Sequence, residues 1–171
     1  YVVPEEATQV AMLKRGEIDI ITGITLDRTI ELLGEGYRGI EPIAPVGANV
    51  MMPGTWLEEA GPMHDIRVRR ALAYAIDYEE LCDTFFHGLA VPGGRWFMHP
   101  GSWGWDPSWE PQEYDLDMAR SLLQEAGYPN RWADPVIQIF IQTGSGYTPD
   151  LFQVLQGYWA EAGIQTQINM V

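Results

Sequence analysis

Hydrophobic positions recur most regularly between His64 and Gly88, in HDIRVRRALAYAIDYEELCDTFFHG. Val68, Leu72, Ala75 and Ile76 fall at i, i+4, i+7 and i+8, one face of a helix. Arg67 and Arg70 lie off that stripe. Asp77 breaks the run and predicts the start of a second helix. Its carboxylate can accept from free backbone N–H groups there, and Glu80 stands at the capping-box distance. Leu81, Phe85 and Phe86 make the apolar face of this helix, and Gly88 its stop. Each large apolar side chain buried at such a corner contributes about 1.5–3 kcal/mol. Two helices meeting at a corner are therefore the expected core.

Upstream, Tyr1 to Val3 reads as a strand end cut off by Pro4, and Glu5 to Arg15 as a helix with acids in its first turn and bases in its last. Ile18 to Ile21 predicts a strand, Leu26 to Leu33 a short helix, and Tyr37 to Ile43 a further strand. Pro42, Pro45 and Gly47 punctuate the chain before extended structure resumes at Ala48 to Met52. MPGTWLEEAGPM is expected to be a loop. Downstream of the corner, residues 87–114 form a long irregular segment holding Trp96, Trp103, Trp105 and Trp109 of the seven tryptophans. Asp115 is expected to cap a helix with Ala119, Leu122, Leu123 and Ala126 on one face and a Schellman-type end at Gly127 and Tyr128. Val136 to Ile141 has apolar residues on both faces, the pattern of a strand covered on both sides. Thr148 and Pro149 open a helix with Phe152, Leu155, Trp159 and Ala162 inward. Ile164 to Met170 alternates as a strand. Strand, helix and strand with short loops predict a βαβ unit with parallel strands.

Composition narrows the class. The chain has 171 residues, 46% hydrophobic and 12% aromatic, which suits a packed globule rather than disorder. A formal net charge of −14 argues against nucleic acid, whose phosphates need a basic surface. No apolar run approaches the ~20 residues needed to span a bilayer. The chain opens on YVVP without a methionine or signal-like segment and closes on a strand-like run, as expected of a piece cut from a longer protein.

A catalytic constellation is hard to find. TGSGY, residues 143–147, has neither the P-loop lysine nor a GxGxxG pattern and reads as a turn. His64, His87 and His99 lack metal-ligand spacing, so neither metal nor cofactor is expected. The acidic pairs Glu58/Glu59, Glu79/Glu80 and Asp115/Asp117 sit at helix caps or in loops. The lone Cys82 falls within an apolar run and reads as a small buried hydrophobe. Arg67, Arg69 and Arg70 read as surface ion pairs in preference to an anion site. The tryptophan-rich segment is the one binding candidate, because indole faces stack on sugars, rings or peptide bonds. The competing reading is that these rings close a core.

Four motifs then carry a resemblance over essentially the whole chain. HDIRVRRALAYAIDYEEL is similar to the DVRVRQALAYAIDREEI signature of the family 5 extracytoplasmic solute-binding proteins. RGEIDII resembles the family's SGEIDIA segment, YDLDMARSLLQEAGYP its YDPEKAKALLAEAGYP segment, and AGIQTQINMV its KIGIKVEI strand, all in family order. The resemblance implies an α/β fold: a lobe of the type II periplasmic-binding-protein kind, with a mixed sheet flanked by helices, from a two-lobe clamshell. It implies that residues 1–46 belong to the first lobe leading to the hinge and residues 47–171 to the second lobe.

It also implies a non-enzymatic role. The expected function is the substrate-binding component of an ABC importer, catching an oligopeptide or dipeptide between the lobes and handing it to the permease. The expected location is periplasmic or extracytoplasmic, with the membrane reached only through a lipid anchor or the permease. Hinge-crossing positions place Asn49 and Met51 among the expected ligand contacts, and Trp96, Trp103 and Trp105 are added from the tryptophan-rich segment. In peptide-binding members, the acidic residue that pairs with a peptide N-terminus lies beyond the position of Val171. The isolated piece is thus expected to fold yet bind ligand poorly. Two alternatives stay open: an oligosaccharide receptor of the same family, and a carbohydrate-active enzyme domain with two carboxyls roughly 5–10 Å apart across a cleft. An autonomous protein-interaction domain is a third, favoured by a contiguous exposed apolar patch.

Overall fold

The computed structural model describes residues 2–40, 50–92, 103–106, 108, 113–142 and 149–171. The chain divides into two compact units, Tyr1–Ile43 and Ala44–Val171.

The first unit contains helices α1 (Glu6–Lys14) and α2 (Leu26–Gly34). Lys14 Nζ bonds Glu31 and Glu35, and Glu6 accepts from both the backbone N–H and the hydroxyl of Thr25. These links are exposed and individually weak. The buried apolar side chains of this unit are Val10 and Leu32. The strand expected at Ile18 to Ile21 does not form, and residues 37–40 are likewise irregular. A strand exists only where a neighbour supplies its ladder. The described residues here offer none, and Ile20 stands 71% exposed.

The second unit is built on the predicted corner. The expected loop before it is partly a 3-10 helix, Glu58–His64, broken at Gly61, where φ is 60°. Asp65 then caps α3 (Ile66–Tyr74), accepting from the N–H of Arg67. Asp77 caps α4 (Tyr78–Thr84), accepting from Glu80 N–H at 2.9 Å. The carboxylate of Glu80 accepts from the Tyr158 hydroxyl at 2.7 Å, a tertiary bond that short-range spacing does not foretell. Helix α4 ends at Thr84, earlier than Gly88. His87 adopts φ 52°, and Gly88 N–H reaches back to the Cys82 carbonyl at 2.9 Å.

Helix α5 (Leu116–Ala126) is capped by Asp115, which accepts from Met118 N–H. It ends at Gly127 in the left-handed region, with Tyr128 N–H bonded to the Leu123 carbonyl at 2.9 Å. That is the predicted Schellman geometry, which a residue with a Cβ adopts only under strain. Helix α5 packs on α3, and Ala71 and Ala119 are fully buried, which lets two backbones approach closely. Strand β1 (Ile137–Ile141), helix α6 (Pro149–Glu161) and strand β2 (Thr166–Met170) follow. The strands pair in parallel with Ile139 opposite Ile168, as the βαβ reading requires. One continuous core joins Val68, Leu72 and Ile76 to Leu122, Ile139, Leu155 and Trp159.

Two further local expectations change. Phe140 is 65% exposed and β1 buries only Ile137, Ile139 and Ile141, so the strand is covered on one face. On α6 the inward stripe runs Leu151, Leu155, Trp159 and Ala162, leaving Phe152 at its margin. Both stripes fit helical spacing, so only the packing decides that Leu151 lies deeper than Phe152.

Arginines tie this core together. Arg67 donates to Asp65 through Nε and Nη2 and to the Glu125 carbonyl at 2.8 Å. Arg131 donates to Asp65 at 2.9 Å and lies over the Trp132 ring. Arg69 holds the Met63 and His64 carbonyls, and Arg120 holds that of Glu161. These cations satisfy carbonyls left open where helices end, which also complements the helix dipole. Arg70 rests over the Tyr74 ring. The guanidinium bonds from Arg67, followed by its backbone N–H and charge and that of Arg131, hold the Asp65 carboxyl well below the usual carboxylate range.

A depressed native pKa contributes stability that is complete above the unfolded value of about 3.9 and is lost as pH falls through the native one. Asp65→Asn retains a good cap and removes the charge. It is expected to cost about 1 kcal/mol at pH 7, since the partner arginines are 36% and 55% exposed and screened. Urea titrations at pH 7 and at about pH 2 should show that difference shrinking on acidification. A constant difference would contradict the pairing.

Candidate functional site

The segment entering the second unit presents the first described candidate. In Val50 to Met52 the side chains split between core and surface: Met52 packs on the core while Met51 is 71% exposed. A turn follows, closed by Leu57 N–H to the Gly54 carbonyl at 2.9 Å. His64 Nδ1 lies 3.2 Å from the Thr55 carbonyl, Met63 joins the core, and Arg69 grips the carbonyls of Met63 and His64. Met51 thus stands exposed in a stretch whose neighbours Met52 and Met63 pack on the core. Trp56, in the same turn, is 74% exposed. The aromatic residue within MPGTWL is the signal in the sequence for it, although the loop expected there does not single it out.

The tryptophan-rich segment gives the second. Trp103 is 97% exposed, beside Gly104 at φ 86°. Trp105 is half-buried. Asp106 accepts from Ser108 N–H at 2.9 Å, a short side-chain turn that holds its carboxyl below the usual range. An indole as exposed as Trp103 is not part of a core, and its flat face is available to a ring, a sugar or a peptide plane. Asn49, Trp96 and Trp109 lie outside the described residues, as do His99, Thr148 and the TGSGY turn.

Two open grooves also mark the second unit. One of about 740 Å³ is lined by Gln153, Gln156, Gly157, Gln165 and Thr166, and one of about 500 Å³ by Arg120, Gln124, Tyr128 and Asn130. Neither is lined by Met51, Trp103 or Trp105.

Several of the acidic groups have structural tasks. Asp77 and Asp115 cap helices, Asp117 lies 3.7 Å from Arg120, and Glu80 accepts from Tyr158. Burial, then the bond to Glu80, raises the Tyr158 hydroxyl far above its ordinary pKa. Among the described residues no three histidine, cysteine or acidic side chains gather as a metal site. Cys82 is buried, and burial, then the Asp83 charge, raises its thiol. Since the thiolate is the reactive form, Cys82 is expected to react with a disulfide reagent on the order of 100-fold slower in the native chain than in denaturant. Stopped-flow absorbance at pH 8 measures both rates, and equal rates would remove the buried thiol.

The capped helices, the αL glycine and the βαβ unit lie in the order of the sequence motifs, and comparison with known proteins turns this into an assignment. All of residues 1–171 match the profile of the bacterial extracellular solute-binding proteins, family 5 middle. The chain belongs to this family. Among its curated relatives, heme-binding protein A of Haemophilus influenzae is 26% identical, aligned over 96% of this chain and 30% of its own length. The glutathione-binding protein GsiB of Escherichia coli K12 is 29% identical over 98% of the chain and 31% of its own length. The chain therefore spans about a third of the length of these relatives.

Among solved structures, the periplasmic binding protein DppA of Helicobacter pylori, in complex with a peptide, superposes with a TM-score of 0.68. It is 24% identical, and the match covers 99% of this chain and 31% of DppA. The fold is that of type II periplasmic binding proteins, and the helices and parallel strands described above are a fragment of it. Family 5 comprises binding proteins rather than enzymes, extracellular by its own description. No helix among the described residues is long and apolar enough to cross a membrane.

Proposed function

We propose that this family 5 chain is part of the substrate-binding component of an ABC importer, which captures an oligopeptide or dipeptide and delivers it to the permease. The observation that carries the proposal is the family match along the whole chain. Relatives named for glutathione and dipeptides, and a fold neighbour holding a peptide, favour a peptide ligand. On this reading residues 1–46 belong to the first lobe and its hinge, and residues 47–171 to the second lobe. The division of the chain into units at Ile43 and Ala44 supports a boundary in this region. Closure of the lobes selects the liganded state, which docks on the permease at the outer face of the membrane. Asn49, Met51, Trp96, Trp103 and Trp105 are the proposed ligand contacts from this part of the protein.

The exposed indole of Trp103 favours a second reading, an oligosaccharide receptor, because indoles stack on sugar faces. Family membership removes the carbohydrate-active enzyme.

Calorimetry on the longer receptor containing this chain, with peptide and oligosaccharide panels, separates the ligand classes. A peptide is expected to bind, and Met51→Ala or Trp103→Ala is expected to weaken it about tenfold, or roughly 1.4 kcal/mol. Unchanged affinity in both variants would remove Met51 and Trp103 from the proposed contacts. Binding of sugars and no peptide would leave the second reading.

A further inference from the structure

No further inference is drawn: the strongest candidate, the open face of the β1–β2 sheet where Phe140 stands 65% exposed near the amides of Gln138, Gln167 and Asn169, is a small surface patch, and nothing in the structure shows what covers it.

Discussion

Replacing Trp159 with alanine is expected to destabilise the second unit by about 3–5 kcal/mol, the range for a large aromatic removed from a close-packed core. The ring is 2% exposed, on the face of α6 that meets the core. Its Nε1–H donates to the Leu72 carbonyl at 3.0 Å, near the end of α3, where a helix carbonyl lacks a further turn to bond. The substitution removes both the buried surface and the donor. Trp159→Phe separates the two: it keeps most of the apolar contact and strands the carbonyl, for an expected loss of about 1–3 kcal/mol. Phe140→Ala is the control, since that ring lies on the open face, and its effect is expected within about 0.5 kcal/mol. Urea unfolding of the three variants, followed by far-ultraviolet circular dichroism, gives the ranking. Equal losses for Trp159→Ala and Phe140→Ala would contradict the burial pattern.

Hydrogen exchange should divide the chain as sharply. Amides of Leu72, Leu123, Ile139 and Trp159 belong to one continuous core and open only with that core. An unfolding free energy near 5 kcal/mol, at the low end for a domain, slows them about a thousand-fold or more. Helices α1 and α2 are nine residues each, below the ~12–15 at which an isolated helix holds in water. Within their unit only Val10 and Leu32 are buried among the described residues. Their amides are expected to be slowed by less than about 100-fold. Exchange of the intact chain, read by mass spectrometry after brief proteolysis, compares the two units in one experiment. Similar protection in both would mean that the first unit has a stability its burial does not account for.

Short-range signals carried much of the architecture. Asp65, Asp77 and Asp115 cap helices because a carboxylate reaches the N–H groups two or three residues on, wherever the rest of the chain lies. Gly127 ends α5 because its backbone accepts a positive φ. Three of the four family motifs coincide with these local devices and with the βαβ unit. They could therefore be read without coordinates, and so could the family.

Tertiary placement decided the rest. Ile18 to Ile21 has strand-like residues yet no ladder, since pairing depends on a neighbour that periodicity cannot supply. Phe140 looks like a core residue, but only the packing of α6 and the helical corner on one side of β1 decides which face is covered. The three clustered arginines read as surface ion pairs. The fold does pair Arg67 with Asp65, and it also turns Arg67 and Arg69 toward carbonyls at the ends of other elements, while Arg131 from a distant stretch reaches the Asp65 carboxylate. The exposure of Met51, Trp56 and Trp103 is likewise a property of the folded surface. The sequence by itself determined the capped helix starts at Asp77 and Asp115, the glycine end of α5, the core stripes of α3 and α5 and the family, because each is carried by residue types within a short stretch. Only the tertiary structure decided which strand pairs, which face stays open and which side chains reach solvent, because burial and ladder bonds join residues that are distant along the chain.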